Sequence, residues 1–234
     1  MPKLGVNIDH IATLRQARRE EDPDPIAAAK ICQSAGVDSI VAHLREDRRH
    51  IQDKDIQNLK KELSIPLNLE MSIADDIVDI ACDLVPKQAT LVPEKREEIT
   101  TEGGLDIVLN ADAIARAVKR LKAKGVLVSL FVDPEKDQID KTKEIDADMI
   151  EIHTGQYDRG ISEKEFDKIA DMTNYANKLG LIVAAGHGLK YHNTRKIAEI
   201  PNMSELNIGH SIISRSVFVG LENAVKEMID LVHI

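Results

Sequence analysis

Short runs rich in Val, Ile and Leu recur eight times along this chain, and a stretch with helical spacing separates most successive runs. The runs are 4–9, 38–44, 66–71, 89–93, 126–133, 149–155, 181–188 and 205–210. Each is too short for a stable helix and nearly continuous in apolar character, as expected of strands covered on both faces in a parallel sheet. Helical spacing marks 25–36, 55–63, 72–85, 111–125, 136–145, 163–180 and 194–200. Gly36, Gly125 and Gly180 stand where a left-handed residue would close a helix just before a strand. An α/β fold follows: a (β/α)8 TIM barrel with extra helices, read as a single catalytic domain over 1–234. A doubly wound open sheet is also compatible, because periodicity does not reveal closure. Two longer segments break the rhythm, TLRQARREEDPDP after the first strand and EKREEITTEGGLDIVLN after the fourth. Both read as functional loops.

Composition narrows the function classes. A net charge of −9 argues against a general nucleic-acid surface, which needs many Lys and Arg contacts to phosphates. No stretch approaches the length of a membrane span, and the start lacks a basic region followed by an apolar core, so a cytoplasmic location is expected. Cys32 and Cys82 lie in aliphatic helical stretches and read as buried, unreactive thiols.

Polar residues concentrate at the carboxyl ends of the inferred strands, where barrel enzymes build their sites. Strand alternation lets Asn7 and Asp9, His43 and Arg45, Asn68 and Glu70, and Glu151 and His153 share a face. His43 leaves an apolar strand beside Arg45. It reads either as a satisfied histidine or as a general acid or base, with Arg45 holding an anion in fork geometry. Glu70 interrupts an apolar strand. It is either ion-paired to an Arg inside the barrel or a proton-transfer group whose pKa burial raises. Glu151 admits the same two readings, and His153 is then its candidate hydrogen-bond partner. His187 sits between Gly186 and Gly188, either an incidental turn residue or a proton donor in a turn open to substrate. Gly209 and His210 close the last strand at a helix start, and the ends of strands seven and eight are a frequent phosphate-binding corner. The basic clusters around Arg15, Arg18 and Arg19, and around Arg45, Arg48, Arg49 and His50, read either as solvated surface or as guides for anionic substrates. No P-loop, dinucleotide glycine fingerprint, paired Cys-x-x-Cys or His-Glu-x-x-His occurs, so neither a nucleotide nor a structural zinc is indicated. A catalytic metal held by residues from different strands stays open.

Seven segments in one order, GVNIDHIATLRQAR, VAHLREDRRHI, LNLEM, LVPEKREEITTEGGLD, IEIHTGQY, AGHGLKYHN and ELNIGHSIISRSVF, resemble the pyridoxine 5'-phosphate synthase family. The likeness runs from Leu4 to the last helix. It implies condensation of 1-deoxy-D-xylulose 5-phosphate with 3-amino-2-oxopropyl phosphate to pyridoxine 5'-phosphate, inorganic phosphate and water, with no metal or organic cofactor. By motif position it implies His43 and Glu70 as proton acceptors, His187 as proton donor and Glu151 as stabiliser of charged intermediates. It places Asn7, Arg18, Gly188, Gly209 and His210 at the aminoketone phosphate, and Asp9, His10, Arg45, His50 and Thr100 at the deoxyxylulose phosphate. It further implies a mobile lid at 100–104 and a homo-octamer. The chain departs from the family pattern after Arg18, where it reads RREEDPDP, and its IHTGQYDRGISE segment is short. Two rival readings remain. One is a metal-dependent barrel aldolase or isomerase with His43, Glu70, Glu151 and His187 as ligands, and the other a catalytically silent barrel that senses sugar phosphates.

Overall fold

The computed structural model describes residues 1–94, 103–160 and 162–234. Eight parallel strands close into a barrel in sequence order: β1 (Lys3–Asn7), β2 (Ser39–Leu44), β3 (Leu67–Met71), β4 (Gln88–Leu91), β5 (Leu127–Val132), β6 (Met149–His153), β7 (Ile182–Gly186) and β8 (Met203–Ile208). Closure is made by β8 pairing with β1, Lys3 opposite Glu205 and Val6 opposite Ile208. The barrel reading holds and the open sheet falls away.

Around the strands run α1 (Asp9–Arg18), α2 (Pro25–Ala35), α3 (Asp53–Glu62), α4 (Asp75–Leu84), α5 (Ala111–Ala123), α6 (Lys136–Glu144), α7 (Gly155–Gly160), α8 (Glu163–Lys178), α9 (Thr194–Ala198), α10 (His210–Val219) and α11 (Leu221–Val232). Local chemistry sets their ends. The Asp24 carboxylate accepts from the N–H groups of Ile26 and Ala27 at the start of α2, with Pro25 in the first turn, and Gly36 closes it at φ 102°. One large apolar cluster fills the space between the sheet's outer face and the helices, with Ile40, Leu69, Leu91, Val128, Ile150 and Leu206 on the strands packed against Ile56, Ile77, Ile114, Val225 and Met228 on the helices. The fold therefore stands on aliphatic burial outside the barrel.

Inside the barrel the packing is polar in layers. Asn207 on β8 donates to Glu151 on β6 at 2.7 Å, a contact that skips β7 and so crosses the interior. It fits because β7 contributes Gly186, where an added Cβ would stand 2.2 Å from Glu151 Oε1. Gly5 plays the same part lower down, where a Cβ would come within 2.1 Å of Asn207 Oδ1. Glu205, opposite Lys3 on β1, is a buried carboxylate at the far end from the strands' carboxyl termini.

Three sequence readings change. The first half of the segment after the first strand is helix, and only 19–24 form a connection: α1 starts at Asp9, whose N–H donates to Asn7 Oδ1 at 2.9 Å, so the side chain of Asn7 turns the chain out of β1. Its periodicity was masked because the position facing inward one turn after Ile11 and Ala12 is an arginine, Arg15. That side chain is neither solvated nor a guide for ligands: it is buried against Asp55 of α3 by two hydrogen bonds, at 2.9 and 2.7 Å. Residues 155–160, read partly as strand end and partly as loop, form α7. The eighth strand ends at Ile208, so that His210 opens α10.

Candidate active site

At the carboxyl-end mouth, β1, β2 and β3 bring one cluster together. Asn7 Nδ2 donates to Asp9 Oδ2 at 2.8 Å and to Glu70 Oε2 at 3.3 Å, spanning from β1 to β3 across the opening. Asp9 Oδ1 accepts from the backbone N–H of His43 at 2.8 Å, so the first residue of α1 also pins the end of β2. His43 and Glu70 are register partners on adjacent strands, and His43 Nδ1 lies 4.0 Å from Glu70 Oε2. The other imidazole nitrogen, Nε2, is 2.8 Å from Glu94 Oε1. Sequence reasoning missed Glu94: it follows β4 in a run of charged residues and carries no local mark of burial.

Burial dominates the electrostatics here. It drives the Glu70 carboxyl well above the usual carboxylate range, helped by the nearby charges of Glu151 and Asp9 and opposed by the Asn7 hydrogen bond. Among the described residues no arginine forms an ion pair with Glu70, so the paired-carboxylate reading gives way to a carboxyl of high proton affinity. Glu151 is raised for the same first reason, with the Asn207 hydrogen bond pulling it down and Glu205 pushing it up. Two carboxyls that feel each other in a dry interior hold protons as a pair.

The opposite side of the mouth is built by β5 to β8. His187, just past β7, sits in the left-handed region at φ 68°, a conformation held by Thr154 Oγ1, which donates to the carbonyls of His187 at 2.6 Å and Gly186 at 2.9 Å. Gly188 follows at φ 85°, packed so closely on α7 that an added Cβ would be 2.9 Å from Asp158 Cβ. Burial pulls the pKa of His187 down to about 4, with His153 and Arg159 adding to the fall and Asp158 opposing it. His153 is not the partner of Glu151. Its Nδ1 lies 2.9 Å from Asp133 Oδ1 at the end of β5, and its ring centroid is 5.1 Å from that of His187. At 2% exposure, its Nε2 has no hydrogen-bond partner among the described residues. Asp133, a second residue that sequence reasoning passed over, is held below its usual range chiefly by the His153 hydrogen bond.

Gly209 caps α10 with its Cα close to Asn7, where an added Cβ would be 2.9 Å from Asn7 Cβ. His210, the first residue of α10, lies tilted against His10 from α1, with ring centroids 5.1 Å apart. Burial lowers the proton affinity of His10, whose Nδ1 is buried without a partner among the described residues. Arg45 is buried 3.7 Å from Asp47, and His50 lies edge-on to His43 at 6.0 Å with its own pKa lowered by burial. Arg18 stands apart, exposed at the last turn of α1. Thr100 lies outside the described residues, as does most of the proposed lid. The described end of that segment is seated: Leu105 N–H donates to the Phe131 carbonyl at 2.7 Å.

Among the described residues, Asp9, His43 and Glu70 could hold a cation, with ligand atoms within 4.8 Å of one another. This is not the four-residue set of the metal reading; both Asp9 oxygens accept hydrogen bonds and His43 Nε2 lies against Glu94, while His43 Nδ1 faces Glu70 and the opening. The arrangement suits proton transfer among neighbouring acids and bases.

Comparison with known proteins places the chain. Solved barrels match the fold at low identity: KGPDC from Streptococcus mutans superposes with a TM-score of 0.69 at 15% identity, covering 100% of this chain and 98% of that one. Phosphoribosyl anthranilate isomerase from Thermotoga maritima gives 0.65 at 14% identity, with coverage of 100% and 99%. Much nearer in sequence is a pyridoxine 5'-phosphate synthase of Coxiella burnetii (strain Dugway 5J108-111), 55% identical over 236 residues that cover 99% of this chain and 98% of that protein. One from Geotalea daltonii (strain DSM 22248 / JCM 15807 / FRC-32) is 54% identical, with 99% of both chains covered. The family described as pyridoxal phosphate biosynthesis protein PdxJ matches residues 4–234, and the chain belongs to that family.

Proposed function

We propose that this chain is a pyridoxine 5'-phosphate synthase, a ring-closing transferase that joins 1-deoxy-D-xylulose 5-phosphate to 3-amino-2-oxopropyl phosphate and releases inorganic phosphate and water. The observation that carries the reading is the pairing of His43 and Glu70, 4.0 Å apart at the barrel mouth, in a chain of this family. Imine formation, phosphate elimination, loss of water and ring closure each move protons, and this mouth supplies acids and bases on two sides of one opening. His43 and Glu70 take protons from substrate carbon and nitrogen. A cationic imine formed beside Glu70 lowers its proton affinity into the working range, so the residue alternates between acid and acceptor. Glu151, backed by Asn207, faces the same charge and steadies it.

His187 is neutral at pH 7 while burial holds it near 4. The charge of a bound phosphorylated substrate raises its proton affinity, so binding arms it as the donor to the leaving group. Gly188, Gly209 and His210 present backbone and imidazole groups to one phosphate at the start of α10, with Asn7 beside them. Asp9, His10, Arg45 and His50 line the side that takes the sugar phosphate, together with Thr100. Arg18, exposed in the last turn of α1, is assigned to the aminoketone phosphate by motif position, in its own site or a neighbouring subunit's. Assembly into a homo-octamer is supported by exposed apolar side chains on the outer helices, Phe218 at 83% and Val217 at 73% on α10 and Leu14 at 51% on α1. No described helix is long and apolar enough to cross a membrane, and we read residues 1–234 as one catalytic domain acting in the cytoplasm.

The direct test mixes both phosphorylated substrates with purified protein and follows pyridoxine phosphate and released phosphate. Stoichiometric formation of both is expected. A well-folded preparation that binds the substrates without forming either product would return the chain to the sensor reading.

A further inference from the structure

A neutral imidazole carries one proton for two nitrogens, so which nitrogen works as a base is decided by what holds the other. Among the described residues His43 is gripped on one side: Nε2 lies 2.8 Å from Glu94 Oε1, while Nδ1 faces Glu70 Oε2 at 4.0 Å and the mouth. Glu94 is itself fixed, because its second oxygen accepts the backbone N–H of Glu46 at 3.0 Å, so the carboxylate ties the end of β4 to the turn after β2. Burial pushes the Glu94 carboxyl up, but the hydrogen bond from His43, its charge, the Glu46 N–H and the charge of Arg45 together bring it below its ordinary value. An ionised carboxylate only accepts, so the proton of a neutral His43 belongs on Nε2.

We propose that Glu94 is the positioning residue that makes Nδ1 the working nitrogen of His43, an assignment that rests on the synthase reading above. Glu94 touches no reacting atom. It holds the ring in one tautomer and one orientation, with the lone pair on Nδ1 turned to the substrate and to Glu70. A proton taken from substrate forms a new N–H bond at Nδ1, leaves its electron pair on the substrate, and gives an imidazolium whose charge Glu94 balances from behind. Return of that proton to Glu70 or to substrate restores the starting tautomer, and no further reactant is needed.

Glu94→Gln tests this with little change in shape. The amide keeps one oxygen, which the Glu46 N–H still requires, so its NH2 turns to His43. Nε2 must then accept, and the proton moves to Nδ1. Nitrogen-15 NMR of the wild-type protein, with the His43 signals assigned by their loss in His43→Gln and followed across pH, should show the neutral ring protonated on Nε2 and bare on Nδ1. In Glu94→Gln the pattern should invert, with kcat down by about 100-fold, the range of a lost general base, and KM for either substrate little changed. Glu94→Asp, which keeps the carboxylate, should recover part of kcat. A wild-type His43 protonated on Nδ1, or a folded Glu94→Gln with wild-type kcat, overturns the proposal. If Glu94→Gln does not fold, the wild-type spectrum alone decides. Absence of product from the wild type would count against the synthase reading, whereas the tautomer is read whether or not turnover occurs.

Discussion

Glu205 offers a measurement whose size can be worked out in advance. It lies 8% exposed at the bottom of the barrel, opposite Lys3, and burial raises its pKa from 4.5 to about 7 against the pull of Lys3 and the Asn207 hydrogen bond. Because the folded-state value is raised, the neutral carboxyl suits the native state. The stability it confers is fully present below about pH 4.5 and is lost as pH rises through about 7, where the unfolded chain ionises freely and the folded chain does so only at a cost. At about 1.4 kcal/mol per unit, the rise from 4.5 to about 7 corresponds to roughly 3 kcal/mol between those limits. Glu205→Gln has the shape of the protonated acid and never ionises. Relative to wild type it should therefore gain up to about 3 kcal/mol on going from pH 4.5 to pH 8, which at about 2–4 °C per kcal/mol for a chain of this size is a differential shift of about 6–12 °C in Tm. Thermal melts of both proteins at the two pH values and one protein concentration read it, the fixed concentration removing any linkage to assembly. A Tm difference that is the same at both pH values would refute the reasoning, since a lost packing contact has no pH slope and a buried titrating carboxyl must have one.

Other consequences are nearer the chemistry. Glu70→Gln and His43→Ala should each lower kcat by about 10²–10⁴-fold with KM little changed; steady-state kinetics that put the loss in KM alone would remove their proton-transfer roles. His187 has the opposite sign to Glu205: its folded value lies near 4 against 6.5, so stability falls as pH drops below about 6.5 and the loss is complete near 4. Urea midpoints of wild type should therefore decline more steeply than those of His187→Gln across that window, and parallel declines would contradict the buried neutral ring. Arg15→Ala leaves Asp55 charged and buried without its bidentate partner, and should cost about 3–5 kcal/mol in urea unfolding; a loss below about 1 kcal/mol would mean the pair behaves as an exposed one. Activity that survives prolonged treatment with a chelator is expected of a site that works by proton transfer among side chains alone, and a chelator-sensitive enzyme restored by one divalent metal would revive the aldolase reading.

What the sequence discloses of such a site follows from where each residue stands. The strands were legible because a parallel sheet covered on both faces leaves apolar runs, and a polar residue that interrupts such a run, as His43, Glu70 and Glu151 do, must have a physical reason for its burial. The residues that hold them were not legible. Glu94 and Asp133 stand at or past strand ends among charged or turn residues, and each is identified only by the imidazole it meets. Arg15 reads as part of a solvated basic run until the register of α1 turns it onto Asp55. The sequence pairs His153 with the carboxylate two residues away on its own strand, yet it bonds to Asp133 just past β5, while Glu151 bonds to Asn207 two strands away. The two barrel pairings have one cause. Side chains inside a closed barrel find partners on other strands, and those partners are set by strand stagger and closure, which no local pattern encodes. The acids and bases of this mouth are therefore sequence features, but their proton affinities and tautomers are properties of the closed barrel. A substitution at Glu94 or Asp133 should reach the chemistry as surely as one at His43 or His187.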